Sequence, residues 1–249
     1  MNTLNTVIAS TVIVLSLGSG AAHAALQGRD LNGSIDSFEA YYDTVLDITW
    51  LADANYAKTS GYDADGLMTA NQAFLWAAGL SFTDGLHVYD NWRLPTIEAA
   101  NGVSFNFNLT NDGSSDKGFN FSAPGTLYAG STSSEMAYMY YNNLGNPGLF
   151  TPAGIATNCY VSSSNTCLNN VGPFSNLQAS SYHYLPNGTG EYFVMSSGFQ
   201  GATIGLDGRY AWAVSPGDVG VAAVPEADTW AMLLAGLGLI GAVTRQRRG

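Results

Sequence analysis

The feature that most constrains this chain lies at its end. Residues 229–244 are uncharged and carry six Leu, Ile and Val side chains, and Arg245, Arg247 and Arg248 follow directly. As a helix this stretch spans about 24 Å, against a hydrocarbon core of about 30 Å. Its insertion free energy amounts to only a few kcal/mol, since Gly236, Gly238 and Gly241 add nothing. The expectation is a marginal transmembrane helix over 229–244. The arginines sit on the cytoplasmic side, where they snorkel to cover the shortfall in length, and the body lies outside. A packed core helix fits poorly, because the stretch has no polar face.

The other end is also apolar. Val7 to Leu17 is broken only by Ser and Thr, and Ala22-His23-Ala24 supplies a small-x-small cleavage site. This reads as a secretory signal peptide over residues 1–24, routed through the secretion translocon, although no Lys or Arg precedes the apolar run. The run is too short for a stable membrane span.

The order Val224-Pro225-Glu226, short polar spacer, Gly-rich apolar helix and arginine cluster resembles the PEP-CTERM sorting signal of bacterial exopolysaccharide producers. The resemblance covers residues 224–249. It implies temporary anchoring in the inner membrane, recognition by an exosortase-type processing enzyme, and release to the cell surface or extracellular matrix. Ala227 stands where that signal usually has a second proline.

Between the two ends lies a body, residues 25–223, of a size suited to one domain. It holds five Lys and Arg against 17 Asp and Glu. Such an acidic field excludes nucleic acid as a partner and favours cations. Charged residues make up only 11% of the chain, and Asn, Ser, Gly and Tyr dominate. That composition suits a loop-rich secreted module that binds through neutral hydrogen bonds and aromatic faces. Cys159 and Cys167, the only cysteines, are expected to form a local disulfide in an oxidising compartment. A metal pair or a reactive thiol lacks support, with no histidine nearby in sequence and no CxxC spacing.

Along the body, residues 38–51 (FEAYYDTVLDITWL) alternate apolar and polar residues and predict one or two strands. GYDADG (61–66) predicts a turn. Thr69 and Gln72 form a capping-box pattern for a helix over 69–78, stopped by Gly79. Pro95 predicts the first turn of a second helix. Thr132 and Glu135 predict the cap of a third, with Met136, Tyr140 and Leu144 on one face and Gly145 and Pro147 ending it. Residues 102–125 predict loop with short strand, and 191–214 predict strands. The fold class is α+β, with short antiparallel strands, two to three helices and long loops.

The segments DITWLADANYAKTSG, VYDNWRLPTIEA, SSEMAYMYYNNLGN and GPFSNLQ, taken in order, resemble the Lcl carboxy-terminal domain family over about residues 42–219. That resemblance implies a C-type-lectin-like single domain and a bacterial envelope habitat, but no particular reaction. Two departures stand out. SSYHYLP, with His183, replaces a Trp-containing segment. Ser215 replaces an arginine of the last strand, so that any buried carboxylate paired to that arginine loses its partner.

Candidate chemistry is sparse. Trp92, Arg93, Leu94, Pro95 and Thr96 read as a scaffold motif: Trp92 in the core, Arg93 paired with an acid, Pro95 and Thr96 supporting a helix start. Sugar stacking on Trp92 and Arg93 is the competing reading. Calcium is the one cofactor left open, through Asn111, Asp112 and Asp116 or through Asp63 and Asp65. Neither set supplies the six to eight oxygens that calcium takes, so no cofactor and no metal is expected. After signal removal only His87 and His183 remain as histidines, and no hydrolase or phosphate-loop motif appears. Not an enzyme is therefore the expectation. The formylglycine-generating oxidases, which the resembled fold includes, use cysteines, whereas here both cysteines read as a loop staple. The function expected is a non-catalytic binding module for exopolysaccharide, glycan or another matrix polymer, with Tyr138, Tyr141, Asn142 and Asn143 as ligand contacts. A structural matrix protein without a specific ligand is the alternative.

Overall fold

The structure is a computed structural model that describes residues 26–34, 37–161, 166–185, 190–203 and 208–222. The expected signal peptide, the sorting segment and the 229–244 helix lie outside these residues. Among the described residues no helix is long and apolar enough to cross a membrane.

The alternating stretch 38–51 forms two strands, Ala40–Asp43 (β2) and Ile48–Leu51 (β3), next to Leu26–Asp30 (β1). Asp43 closes the turn between β2 and β3 by accepting the backbone N–H of Val45 and Leu46 at 2.9 and 3.1 Å. β1 to β3 form an antiparallel meander. The late strands Val214–Pro216 (β11) and Val221–Ala222 (β12) extend it at opposite edges, giving the order β11-β3-β2-β1-β12.

A second five-stranded sheet has the order β6-β7-β10-β9-β8. Its strands are Leu109–Thr110 (β6), Lys117–Gly118 (β7), Ser181–His183 (β8), Glu191–Val194 (β9) and Phe199–Ala202 (β10). The pair β6–β7 is parallel and the other pairs in both sheets are antiparallel. A hairpin of Phe82–Thr83 (β4) and Val88–Tyr89 (β5) stands apart.

Helix is scarce. Tyr56–Thr59 (α1) and Asn158–Val161 (α4) are single turns. Ala70–Ala78 (α2) matches its sequence signal: Thr69 accepts the Gln72 N–H, and the Gln72 side chain accepts the Thr69 N–H at 3.0 Å. Gly79 occupies the C-cap.

The third expected helix exists but starts and ends differently. Ser134, not Thr132, is its N-cap, accepting the Ala137 N–H at 3.2 Å. Glu135–Tyr138 (α3) then widens into a π-helical turn, Met139–Asn143. Met136, Tyr140 and Leu144 are buried as their spacing required, but so are Ala137, Tyr138, Met139 and Tyr141. A helix apolar around its circumference belongs in the interior.

The helix expected after Pro95 does not form. The Glu135 N–H donates to the Thr96 carbonyl at 3.2 Å, and the Glu98 N–H donates to the Ser133 carbonyl at 2.6 Å. These tertiary partners hold residues 96–98 extended and take the backbone groups that a first helical turn would have used. The α+β class stands, with strands dominating over helix.

The core is built on aromatic rings. The Trp50 and Trp212 centroids lie 4.6 Å apart, and Phe174 meets Trp212 edge-on at 4.7 Å. The Trp212 indole donates to the Leu51 carbonyl at 2.8 Å, tying the segment before β11 to β3. Ser215 is buried opposite Thr49, and on the same sheet the Arg29 guanidinium lies over the Tyr42 ring at 5.3 Å. Replacing Trp212 with Ala opens a cavity at the first sheet and strands the Leu51 carbonyl. We expect a loss of about 3–5 kcal/mol in equilibrium urea unfolding of the full chain.

Candidate functional site

The segment Trp92-Arg93-Leu94-Pro95-Thr96 joins three parts of the molecule. Arg93 exchanges backbone hydrogen bonds with Val214 of β11, both at 2.8 Å. Its guanidinium grips the Glu135 carboxylate as a fork, with Nη1 to Oε2 at 2.8 Å and Nη2 to Oε1 at 2.7 Å. The Thr96 N–H donates to the same Oε2 at 2.7 Å. Glu135 therefore anchors Arg93 and Thr96 instead of completing a capping box on its own helix. Trp92 is buried, its indole donating to the Tyr89 carbonyl and its ring meeting Phe82 at 5.4 Å. Leu94 is fully buried, and the Pro95 carbonyl accepts the Leu185 N–H at 2.7 Å.

Truncation of Glu135 to Ala leaves Arg93 without its counter-charge. The Arg93 side chain is 24% exposed, so the expected destabilisation is about 2–4 kcal/mol, somewhat below that of a fully buried pair. Arg93→Lys recovers only part of the stability, since an ammonium cannot form the two-pronged contact. Both effects are read from denaturant midpoints.

Of the four residues expected to touch a ligand, the two tyrosines are buried and the two asparagines are half-buried. The Tyr141 hydroxyl donates to the Gly198 carbonyl at 2.7 Å and accepts the Asn120 N–H at 2.8 Å. Burial pushes its pKa well above the ordinary phenol value. Asn142 donates to the carbonyl and hydroxyl of Ser122 at 3.0 and 2.8 Å. Asn143 donates to Asp43 at 2.5 Å. These groups hold the π-helical turn against the two sheets, and no aromatic face of it is left for a sugar.

The acids considered for calcium serve backbone. Asp116, 1% exposed, accepts the N–H of Ala100 and of Asn106. Asp112 accepts the backbone and hydroxyl of Ser114, and the Asn111 carbonyl accepts the Asn120 side chain. Asp63 accepts the N–H of Asp65 and Gly66, and Asp65 accepts that of Leu67. Among the described residues no cluster of three or more His, Cys, Asp or Glu is arranged to hold a metal. Cys159 and Cys167 are bonded, their Cα atoms 5.0 Å apart.

Neither histidine sits in a site. His183 is buried with Nε2 2.8 Å from the Met68 carbonyl, and burial lowers its pKa. His87 lies at the exposed end of the β4–β5 hairpin, 3.0 Å from Asp84. Asp84 is held well below the usual carboxylate range, first by the His87 side chain, then by the His87 N–H, the Tyr89 hydroxyl and the Leu86 N–H. Tyr89 is pushed up to about 12, chiefly by burial. A carboxyl with a lowered folded pKa contributes stability above about pH 4 and loses it as pH falls through the folded value. The stability difference between wild type and Asp84→Asn should therefore be greatest above about pH 5 and shrink steadily below pH 4. Thermal melts across that range test this, and a difference constant with pH would contradict it.

One concave feature combines rings with acceptors. A cleft of about 390 Å³ opens between the β1–β2 connection, the end of β3, α1, Phe82 of β4 and Ser175. Phe38, Tyr56 and Phe82 supply its aromatic surface, and Glu39, Asp53 and Asn32 supply its polar groups. Phe38 is 39% exposed, and Tyr56 packs on Phe82 at 5.6 Å. Both carboxylates are held in place. Glu39 accepts the Ser37 hydroxyl and the Leu31 N–H at 2.8 and 3.0 Å. Asp53 accepts the Asn55 N–H and the Asn176 amide at 2.8 and 2.9 Å. Each of the four oxygens accepts one of these bonds, and a carboxylate oxygen can accept a second. Among the described residues no Lys or Arg lines the cleft. Its lining residues, 32, 37–39, 51–53, 56, 59, 82 and 175, meet only through the fold, which is why the sequence did not reveal it. The sequence pattern placed Phe38 in a strand, whereas it lies just before β2, which begins at Ala40.

No curated protein and no solved structure matches the chain, so the C-type-lectin-like resemblance of the body has no support from either comparison. The tail is different. Residues 223–248 match the PEP-CTERM protein-sorting motif, which implies an exported protein that is anchored at the membrane and then processed by an exosortase-type enzyme.

Proposed function

We propose that the exported body is a non-catalytic binding module for a glycan or matrix polymer, delivered to the cell surface or exopolysaccharide by its sorting tail, and that the cleft bounded by Phe38, Tyr56 and Phe82 is where the ligand binds. The observation that carries this reading is the pairing of ring faces with four oriented carboxylate oxygens in one concavity. Ring faces pack on the C–H faces of sugars, and carboxylates accept from their hydroxyls. With no Lys or Arg among its described lining residues, the cleft favours neutral or amine-bearing polymers over polyanions. This cleft offers a surface that water reaches, whereas Tyr138 and Tyr141 are buried.

The test is a glycan array followed by titration of the best neutral, cationic and anionic hits. Saturable binding that competes with free oligosaccharide is expected, weakened about tenfold by Phe38→Ala through loss of one stacking face. Binding at background for every class would favour the structural matrix protein instead. Saturable binding untouched by Phe38→Ala would move the site elsewhere.

A further inference from the structure

The strand that precedes the sorting motif is strapped to the strand at the other end of the body. β12 is the outer strand of the first sheet and pairs with β1, Ala222 opposite Arg29 and Val221 opposite Asp30. The matched motif begins at the next residue, 223. Pro225 follows Ala222 by three positions, about 10 Å of extended chain.

Three contacts secure the approach to β12. The Arg29 side chain, 4% exposed, donates to both oxygens of Asp218, at 2.5 Å from Nε and 2.8 Å from Nη2. The Gly217 N–H donates to the Asp47 carbonyl at 2.8 Å, and the Val219 N–H donates to the Thr49 hydroxyl at 3.2 Å. Gly220 crosses β1 with φ +93°, where a Cβ would come within 2.8 Å of the Asp30 carbonyl oxygen and 2.9 Å of Leu31. That close crossing, in that backbone conformation, requires glycine.

We propose that this strap governs access of the exosortase-type enzyme to Val224-Pro225-Glu226. While β12 is docked, Ala222, the residue before the matched motif, is tied to β1. Processing draws on the molecules in which β12 has peeled from β1. A processing site takes its substrate as unpaired, extended chain, and a two-residue pairing at a sheet edge lies at the low-stability end of local opening. When opening and closing are fast, cleavage follows the population of the open form. The inference rests on the sorting motif and is independent of what the cleft binds.

The experiment follows loss of the tail from the full chain, expressed with its own processing enzyme, by pulse-chase and intact mass. Asp218→Asn weakens the ion pair, and Gly220→Ala disrupts the crossing by a different route. A third variant inserts Gly-Ser-Gly-Ser after Ala222, carrying the motif away from the body and leaving the strap alone. Amide exchange at Val221 and Ala222 reports whether β12 has loosened. The two substitutions should speed tail loss about three- to fivefold. The insertion should do at least as much, and Asp218→Asn should add nothing in its background. Faster amide exchange with an unchanged rate of tail loss overturns the proposal. So does a wild-type rate in the insertion variant, which decides the matter even where a substitution fails to loosen the strap or to fold.

Discussion

A chain with this little regular structure must satisfy its buried backbone N–H groups by means other than ladders, and here Asp and Asn side chains do so. Asp116 ties down Ala100 and Asn106 across a long loop. Asn120, in left-handed conformation at φ +62°, donates to the carbonyls of Asn111 and Phe150. Asn146 accepts from Asn169 and Asn170 and donates back to the Asn170 carbonyl. A buried backbone group left unpaired costs about 1–3 kcal/mol, so the loops depend on these residues. Among the described residues five acids, Asp30, Asp43, Asp116, Glu135 and Glu191, are buried. Asp63, Asp65, Asp112 and Asp116, considered for a cation, each accept backbone amides.

The same economy explains the buried tyrosines. In the interior a tyrosine brings a large apolar ring together with a hydroxyl that can serve polar backbone. Tyr141 bridges Asn120 and Gly198, and Tyr184 meets Ser134 and Gln200. Gly198 permits the first of these, since a Cβ there would come within 2.3 Å of the Tyr141 hydroxyl oxygen. Aromatic and amide residues are also the usual materials of a sugar site. Composition alone could not distinguish a surface built to recognise polymer from a core built out of the same side chains.

The first sheet carries both ends of the described body, the last of them next to the sorting motif. Its edge pairs the first described strand with the last, so that the chain enters and leaves the body side by side. The cleft opens beside the end of β3 in the same sheet and Phe82 of β4. A body with both ends on one sheet edge suits a protein that is anchored at the membrane before processing.

The sequence by itself determined what depends on neighbours a few residues apart or on transfer to lipid. It marked the Thr69–Gln72 helix start, the β2 and β3 strands, the disulfide and the sorting tail, because capping, alternation, short-loop closure and hydropathy are local. It named Arg93 as half of an ion pair but not Glu135 as its partner, since their 42-residue separation leaves no local trace. Only the tertiary structure decided that residues 96–98 run extended, that Tyr138 and Tyr141 are buried, and that Phe38, Tyr56 and Phe82 share a cleft. In each case a long-range partner competes for groups that local propensity would use otherwise, and a buried hydrogen bond or packed ring outweighs the few tenths of a kcal/mol by which helix propensities differ.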